Sequence, residues 1–187
     1  MTLKELKQKV LVLIEEYMPD EEGKRLTADD DIHNKMNDVI NQNMYEICRM
    51  RKIPKYIEME VSAGDLLDFA ALESECGYEI YQIKYVTGVG YEPRADGTIL
   101  KILDSGTAEI DVFVYPEAIT SKTKDSYEFE LTPDALEILP YGIAADLLAT
   151  DVSSNYQEFR QRYETMLARL DPRNHMPTVS IVGGINV

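Results

Sequence analysis

Apolar residues recur every three or four positions at both ends of this chain and every second position in its middle. At the N-terminal end this spacing predicts a first helix over about residues 2–18, ended by Pro19 and Gly23. Thr27 and Asp30 then follow at the spacing of a capping box, which predicts the start of a second helix. Its inward stripe runs to residue 50 and consists of Ile32, Met36, Val39 or Ile40, Asn43, Ile47 and Met50.

A third helical segment begins at Thr132. This residue suits the N-cap, Pro133 suits the first helical position, and Asp134 places negative charge at the positive end of the helix dipole. Pro140 falls inside the segment and predicts a kink or a break after Leu139. The apolar stripe consists of Leu136, Leu139, Ile143 and Leu147.

A fourth helical segment follows a short polar turn and ends at Leu170, before Asp171 and Pro172. Ser154 and Gln157 stand at capping-box spacing near its start. Its stripe faces that of the preceding segment and consists of Tyr156, Phe159, Tyr163, Met166 and Leu170. We therefore expect the two segments to form a helical hairpin over residues 132–170.

The middle of the chain has the period of two that is typical of strands. The predicted strands cover residues 56–61, 78–86, 98–103, 108–115 and 127–131, with a loop or short helix over 63–76. The strand over 78–86 has tyrosines on both faces, so we expect both faces to be covered. The turn Asp104-Ser105-Gly106 predicts a hairpin between the strands over 98–103 and 108–115. In the second of these strands Ile110, Val112 and Val114 share one face.

The order of the predicted elements, with helices at both ends and strands between them, predicts an α+β fold. The terminal helices must meet each other to bury their apolar stripes. We expect a helical bundle from residues 1–52 and 132–170, with a small antiparallel β-sheet or sandwich inserted over 53–131. We expect residues 171–187 to form an extended C-terminal arm with a β-prone stretch. Such an arm adds a strand to a neighbour's sheet, pairs within its own sheet, or stays disordered.

The length and the cysteines bound the class of protein. A chain of 187 residues buries enough surface for one domain, or two small ones that share a core, without disulfides or metals. Cys48 and Cys76 lie in different predicted elements, which favours a reducing compartment. The N-terminal apolar run covers only residues 10–14, so we expect neither a signal peptide nor a membrane span there, and synthesis in the cytoplasm.

The charge is strongly and unevenly negative. Thirty-four acidic against 19 basic residues give a formal charge of −15, and residues 53–121 hold 13 acidic and 4 basic residues. This excess argues against a surface that binds phosphate backbones or reads a nucleic-acid sequence. Either the acids solvate the strand region, or they form a face that repels nucleic acid or meets a basic partner.

Catalytic and metal-binding motifs are sparse. The sequence has no Walker loop, dinucleotide-binding glycine pattern or nucleophile elbow, and its two histidines, His33 and His175, lie far apart. The acids at 29–31 lack the spacing of a calcium loop and are interpreted as first-turn helix acids. Carboxylate pairs, such as Asp65 with Asp68 or Glu73 with Glu75, arise by chance among 34 acids. We therefore expect no enzyme activity, cofactor or metal.

Twelve tyrosines are the unusual feature of the composition. Tyrosine supplies amphipathic contact area at interfaces with little loss of entropy, but it also suits half-buried core and strand positions. Most lie in the predicted strands and the last hairpin: Tyr56, Tyr78, Tyr81, Tyr85, Tyr91, Tyr115, Tyr127, Tyr141, Tyr156 and Tyr163. Core and strand positions are the favoured interpretation, and a ligand groove or an interface is the alternative.

Similarity to a known family lies in the run LEILPYGIAADLLATDVSSNYQEFRQRYETMLARL, residues 136–170. It resembles the closing segment of the head-tail adaptor or connector proteins of tailed bacteriophages and prophages. The similar features are Leu139, Pro140, Ala144 and Leu147, then a short polar turn and a helix rich in Tyr, Phe and Arg. The run DVINQNMYEICRMRKIP, residues 38–54, also resembles these proteins. The two runs are patterns of packing residues and contain no catalytic signature.

The resemblance implies a non-enzymatic subunit of the virion neck that is made in the bacterial cytoplasm. It would form a homo-oligomeric ring under the portal protein, through which DNA passes and to which tail or head-completion proteins attach. The candidate assembly contacts are Tyr156, Arg160 and Tyr163 in the last helix and Val179, Ile181 and Val182 in the arm. The alternatives are a ligand-binding or adhesive β-rich module of a phage-like particle, and an acidic hydrolase that uses a carboxylate pair.

Overall fold

A computed structural model of the protein describes residues 1–22, 25–149 and 156–170. Within these ranges helices precede and follow two antiparallel sheets of three strands each, which confirms the expected α+β fold. The elements are α1 (Leu3–Leu13), α2 (Asp30–Met50), β1 (Ile53–Val61), β2 (Leu66–Asp68), α3 (Phe69–Cys76), β3 (Ile80–Thr87), β4 (Tyr91–Arg94), β5 (Ile99–Ile102), β6 (Gly106–Val114), α4 (Pro133–Leu148) and α5 (Tyr156–Leu170).

The first helix is shorter than its apolar pattern predicts. Thr2 and Glu5 form a capping box at its start, and the helix ends at Leu13. Glu15 has a φ of 62°, in the left-handed region that stops helix propagation. The chain then turns back on itself, and the Met18 N–H donates to the Leu26 carbonyl at 2.9 Å.

The second helix is capped by Asp29, so the predicted capping box between Thr27 and Asp30 is wrong. Asp29 Oδ1 accepts hydrogen bonds from the amides of Asp31, at 2.8 Å, and Ile32, at 3.0 Å. Thr27 is instead buried, and its hydroxyl accepts from the Asp29 amide. The acids at 29–31 therefore lie at the N-cap and in the first helical turn, as interpreted from the sequence.

The third helix runs without interruption from Pro133 to Leu148, so the alternative of a break at Pro140 is wrong. Pro140 is buried in the bundle, where packing on α1 and α2 holds the helix together despite the missing amide. The Thr132 side chain makes no cap hydrogen bond, while Pro133 occupies the first turn as predicted. The Ser154 and Gln157 capping box involves residue 154, which lies outside the described residues.

Both sheets are antiparallel, but their strands pair differently from the prediction. The strand orders are β1-β6-β3 in the larger sheet and β2-β5-β4 in the smaller one. The expected hairpin between β5 and β6 is therefore wrong. The hairpin instead joins β4 to β5 through a 3₁₀ turn at Ala95–Gly97, where Asp96 has a φ of 58° and Gly97 a φ of 85°. Ala95 also has a positive φ, of 48°, so three successive residues are left-handed and make a tight reversal. This conformation suits Gly97 and is tolerated by Asp96 but is unfavourable for Ala95.

Of two other predictions for the middle region, the short helix is confirmed and the last strand is wrong. Residues 63–76 do contain a short helix, α3, preceded by β2. The expected strand over 127–131 is reduced to a single bridge between Thr2 and Glu128. Phe129 and Leu131 pack with the helices, so this end of the β-rich insertion belongs to the core of the bundle.

A column of three tyrosines joins the helical bundle to the larger sheet. The ring of Tyr115 lies 4.7 Å from that of Tyr45 on α2 and 4.8 Å from that of Tyr81 on β3, between centroids. Tyr81 donates its hydroxyl to the Cys48 carbonyl at 3.0 Å, and Arg49 donates two hydrogen bonds to the Tyr115 hydroxyl. These tyrosines occupy half-buried positions, as the favoured interpretation of the sequence predicts.

The two cysteines should differ sharply in reactivity. Cys48 is completely buried, and burial raises the pKa of its thiol to about 12, whereas Cys76 is half-buried. Because the thiolate is the nucleophile, we expect iodoacetamide to label Cys76 in the native protein and to leave Cys48 unmodified. Peptide mass spectrometry measures this, and equal labelling of both in the native protein would contradict it. Denatured protein, in which both cysteines react, is the control.

Candidate interaction face of the larger sheet

The outward face of the larger sheet carries a dense set of acids and tyrosines. Because side chains alternate along each strand, the pairing register places every second residue of β1, β6 and β3 on this face. Its members are Tyr56, Glu58, Glu60, Tyr85, Glu109 and Asp111, and we call this set the acidic face. The row formed by Ile57, Ile110 and Val86 points the other way and is buried, which fixes the orientation of the sheet.

Like charges stand opposite one another on the acidic face. Glu58 on β1 is the direct partner of Glu109 on β6, and both side chains are exposed. Thr87 donates its hydroxyl to Glu109 at 2.9 Å, and Thr107 donates to Glu60 at 2.6 Å. These bonds orient the carboxylates but leave their charge in place. Like charges directly across a strand pair are destabilising, so this face is not optimised for the stability of the single chain.

Two exposed tyrosines flank Asp111 in the central row of the face. Tyr56 is 55% exposed and Tyr85 is 47% exposed. Desolvation and the carboxylates of Glu109 and Glu58 raise the pKa of Tyr56, and a hydrogen bond with Asp111 raises the pKa of Tyr85. Both hydroxyls therefore stay protonated near neutral pH. The expectation that both faces of this strand are covered is wrong, because Tyr85 lies on the outward face with about half of its surface exposed, and Lys84 covers only part of its ring.

The opposite end of the same face is basic. The Lys52 ammonium lies 4.5 Å from the centroid of the Phe113 ring and donates to Gln82 at 2.8 Å. Lys84, at a bulge in β3, reaches Asp111 at 3.7 Å. The charge of the outward face therefore runs from positive at the Lys52 end to negative at the end that holds Glu58 and Glu109.

The contact residues predicted on α5 have less free surface than expected. Tyr163 is completely buried, and its hydroxyl donates to Glu46 on α2 at 2.8 Å. The prediction that Tyr163 contacts a neighbouring subunit is therefore wrong, because the helical stripe to which it belongs packs inside the bundle. Arg160 lies between Asp146, at 3.6 Å, and Glu164, at 2.8 Å, with 33% of its side chain exposed.

The remaining predicted contacts stay predictions. Tyr156 is half-buried at the start of α5. Val179, Ile181 and Val182 in the arm lie outside the described residues.

The carboxylates considered as catalytic pairs mostly bind the backbone. Asp65 accepts from the Ser62 amide, Asp68 caps α3 through the Ala71 amide, and Glu73 accepts from the Ile80 amide, each at 2.8 to 2.9 Å. Such bonds explain these acids as local structural residues. Within the three described ranges, no cluster of three or more histidines, cysteines and acids is arranged to hold a metal ion.

Sequence reasoning found the acidic excess of the strand region and offered a shared face as one of two alternatives, but it did not identify the residues that form that face. Glu58 and Glu60, like Glu109 and Asp111, stand two positions apart, which is the signal for a shared strand face. The missing information was the pairing of β1 with β6, two strands separated by more than 40 residues. Only that pairing turns two short acidic alternations into one surface.

Relief of the charge repulsion should be measurable in the single chain. We expect Glu58→Gln to stabilise the protein by about 0.5 kcal/mol at low salt, because it removes one of two opposed charges. The gain should shrink at high salt, which screens exposed charges. Urea denaturation at low micromolar protein concentration measures it. Glu75→Gln, an exposed acid on α3, is the control, and a loss of stability on Glu58→Gln would contradict the expectation.

Comparison with protein-family models and with curated proteins finds no match. Among the helices that the structure describes, none combines the length and the apolar character needed to cross a membrane.

Proposed function

We propose that this protein is a non-enzymatic structural subunit of a tailed bacteriophage or prophage particle, acting as a head-tail adaptor. In this role it forms a ring under the portal protein in the virion neck. DNA passes through the ring, and tail or head-completion proteins attach to it. The proposal rests on the resemblance in residues 38–54 and 136–170.

The observation that carries the proposal is that the two resembling runs pack against each other. Asn43 on α2 donates to Asp146 on α4 at 2.7 Å, and Tyr163 on α5 donates to Glu46 on α2. The similarity therefore concerns one packed three-helix unit and is not scattered over unrelated surfaces. A shared packing unit supports a shared scaffold more strongly than two isolated stretches would.

The charge of the chain suits a channel through which DNA slides. Attraction at many phosphates holds a protein on DNA, because each contact releases counterions. A formal charge of −15 has the opposite effect and favours passage without retention. The same charge fits the expected absence of sequence-specific nucleic-acid binding.

The arm is the first element to test within this proposal. We expect deletion of residues 171–187 to abolish ring assembly, because its β-prone stretch would add a strand to a neighbouring subunit. A version with Val179, Ile181 and Val182 replaced by serine keeps the length and is the sharper variant. Electron microscopy of purified protein with portal shows the rings. Normal rings from both variants would show that ring assembly does not depend on the arm.

Mass spectrometry of purified phage-like particles tests the proposed function itself. We expect this polypeptide in intact tailed particles at a fixed ratio to the portal subunit. Its absence from tailed particles that carry the other products of the same genetic element would overturn the adaptor assignment.

A second candidate is a ligand-binding or adhesive module, favoured by the exposed rings of Tyr56 and Tyr85. Saturable binding of a sugar or peptide by a protein that never assembles, lost on Tyr56→Ala, would support this alternative. The matched control is Tyr91→Ala, an exposed tyrosine in the smaller sheet.

A further inference from the structure

We propose that the outward face of the larger sheet is a two-fold interface with a second copy of this chain. The pairing concerns the free subunit and does not rest on the adaptor function. The argument uses the distribution of charge along the face, the spacing of its rows and its exposed tyrosines.

The charges of the face are self-complementary about its central row. This row holds Tyr56, Asp111 and Tyr85. On one side, two residues away on each strand, lies the row of Glu58, Glu109 and Thr87. On the other side lies the row of Pro54, Phe113 and Gln82, two residues away on β1 and β6 and three on β3, where the bulge adds a residue. The Lys52 ammonium lies over Phe113 in this second row and donates to Gln82. The negative row and the positive row therefore lie at equal distances, about 7 Å, from the centre.

This spacing selects one symmetry. Two copies can lay this face against itself about a two-fold axis that lies in the plane of the interface, either along the strands or across them. An axis along the strands would bring lysine to lysine and glutamate to glutamate. An axis across the strands, through the central row, reverses the strand direction, so that Lys52 of each copy meets Glu109 of the other.

The central row supplies apolar contact area, which the charged rows do not. In this arrangement Tyr56 meets Tyr56 of the second copy and Tyr85 meets Tyr85, because an axis across the strands leaves the order of strands unchanged. Tyrosines at the centre of an interface supply large contact area at low entropic cost. Asp111, near the axis, already has Lys84 as a partner, so the two copies do not bring bare charges together there.

The pairing also relieves the strain described within one chain. Glu58 and Glu109 repel each other across β1 and β6, and the lysine of a second copy supplies the counter-charge that this row lacks. Two three-stranded sheets in contact form a small sandwich, with the faces about 10 Å apart.

The size of the face sets the expected strength. Three strands at about 4.8 Å and seven residues at about 3.4 Å span roughly 10 by 20 Å, which is less than the ~800 Å² per partner of a standard stable interface. The pair should therefore be weak, with a dissociation constant in the micromolar range or above. Its affinity should fall as salt is added, because the lysine and glutamate contacts lie near solvent.

Sedimentation equilibrium with charge-reversed variants tests the proposal. We expect wild-type protein at low salt to approach at least twice the monomer mass as its concentration rises to the submillimolar range. Glu109→Lys alone and Lys52→Glu alone should each weaken association about tenfold, because each opposes like charges at both symmetric contacts. An equimolar mixture of the two variants, and the double variant K52E/E109K, should both recover it.

Matched controls separate the face from net charge. Glu75→Lys on α3, which packs behind the sheet, and Lys122→Glu in the loop before α4 make the same charge changes elsewhere and should leave association unchanged. Thermal unfolding of each variant checks that it is folded. The proposal is overturned if wild-type protein stays monomeric throughout, if single reversals have no effect, or if mixing restores nothing. These outcomes do not bear on whether the polypeptide is present in phage-like particles.

Discussion

Replacement of Tyr163 by alanine is expected to destabilise the protein by about 4 kcal/mol, because it empties a fully buried aromatic site. The ring lies against Gly142 of α4, and its hydroxyl donates to Glu46 of α2. Truncation therefore removes the packing that holds α5 to both neighbouring helices. Urea denaturation followed by circular dichroism measures the loss.

Two variants decide between a core role and a contact role for Tyr163. Tyr163→Phe keeps the ring and loses only the bond to Glu46, so it should cost about 1 kcal/mol. Tyr156→Ala, at a half-buried position of the same helix, should cost clearly less than Tyr163→Ala. If Tyr163→Ala left the unfolding midpoint unchanged but prevented assembly with neighbours, the residue would be a contact after all.

Replacement of Gly142 by alanine is expected to destabilise the protein by about 3 kcal/mol, because side chains of α2 and α5 lie too close to α4 there for a methyl group. A Cβ at this position would lie 2.6 Å from Cε2 and 2.9 Å from Cδ2 of Tyr163, and closer still to Oδ1 of Asn43. Both neighbours are completely buried and have little room to move. The usual gain in helix propensity from glycine to alanine, about 1 kcal/mol, is too small to offset this overlap.

A double-mutant cycle identifies the cause of that loss. Asn43→Ala removes the oxygen that the new methyl group would meet, so Gly142→Ala should cost less in that background. Asn43→Ala alone is also destabilising, because Asn43 donates to Val39 and Asp146. Strict additivity of the two substitutions would show that the methyl group is accommodated in another way.

Local signals predicted the helices well. The stripes of α2 and α4 correctly place Met36, Ile40, Leu139 and Ile143 in the core, because helical periodicity depends only on neighbours three and four positions apart. Met50, predicted to face inward at the end of the α2 stripe, is exposed. The errors in the predicted helix starts arise where two neighbouring residues are both suitable caps. Asp29 and Thr27 are both good capping residues, and only the buried position of Thr27 decides between them.

Pairing between distant strands was the part that the sequence did not predict. Asp104-Ser105-Gly106 is a good turn, yet β5 and β6 join different sheets, because β6 pairs with β1 and β3 instead. The alternation of the strand over 108–115 correctly separated Ile110, Val112 and Val114 from the residues of the outward face, while the acidic face shared by three strands depends on that pairing. The burial of Tyr163 followed from its helical stripe, and choosing it as an external contact overrode that signal.

The meeting of α2 with α4 and α5 also determines when the chain can fold. Asn43 and Asp146 are 103 residues apart, and Glu46 and Tyr163 are 117 residues apart. At roughly 5–20 residues per second of synthesis, the apolar stripes of α1 and α2 wait on the order of 5–20 s for the helices that cover them. Contacts this distant in sequence also slow folding, because the long intervening loop must close first. A chain halted on the ribosome before residue 133 would expose those stripes and depend on chaperones, although its sheets are complete.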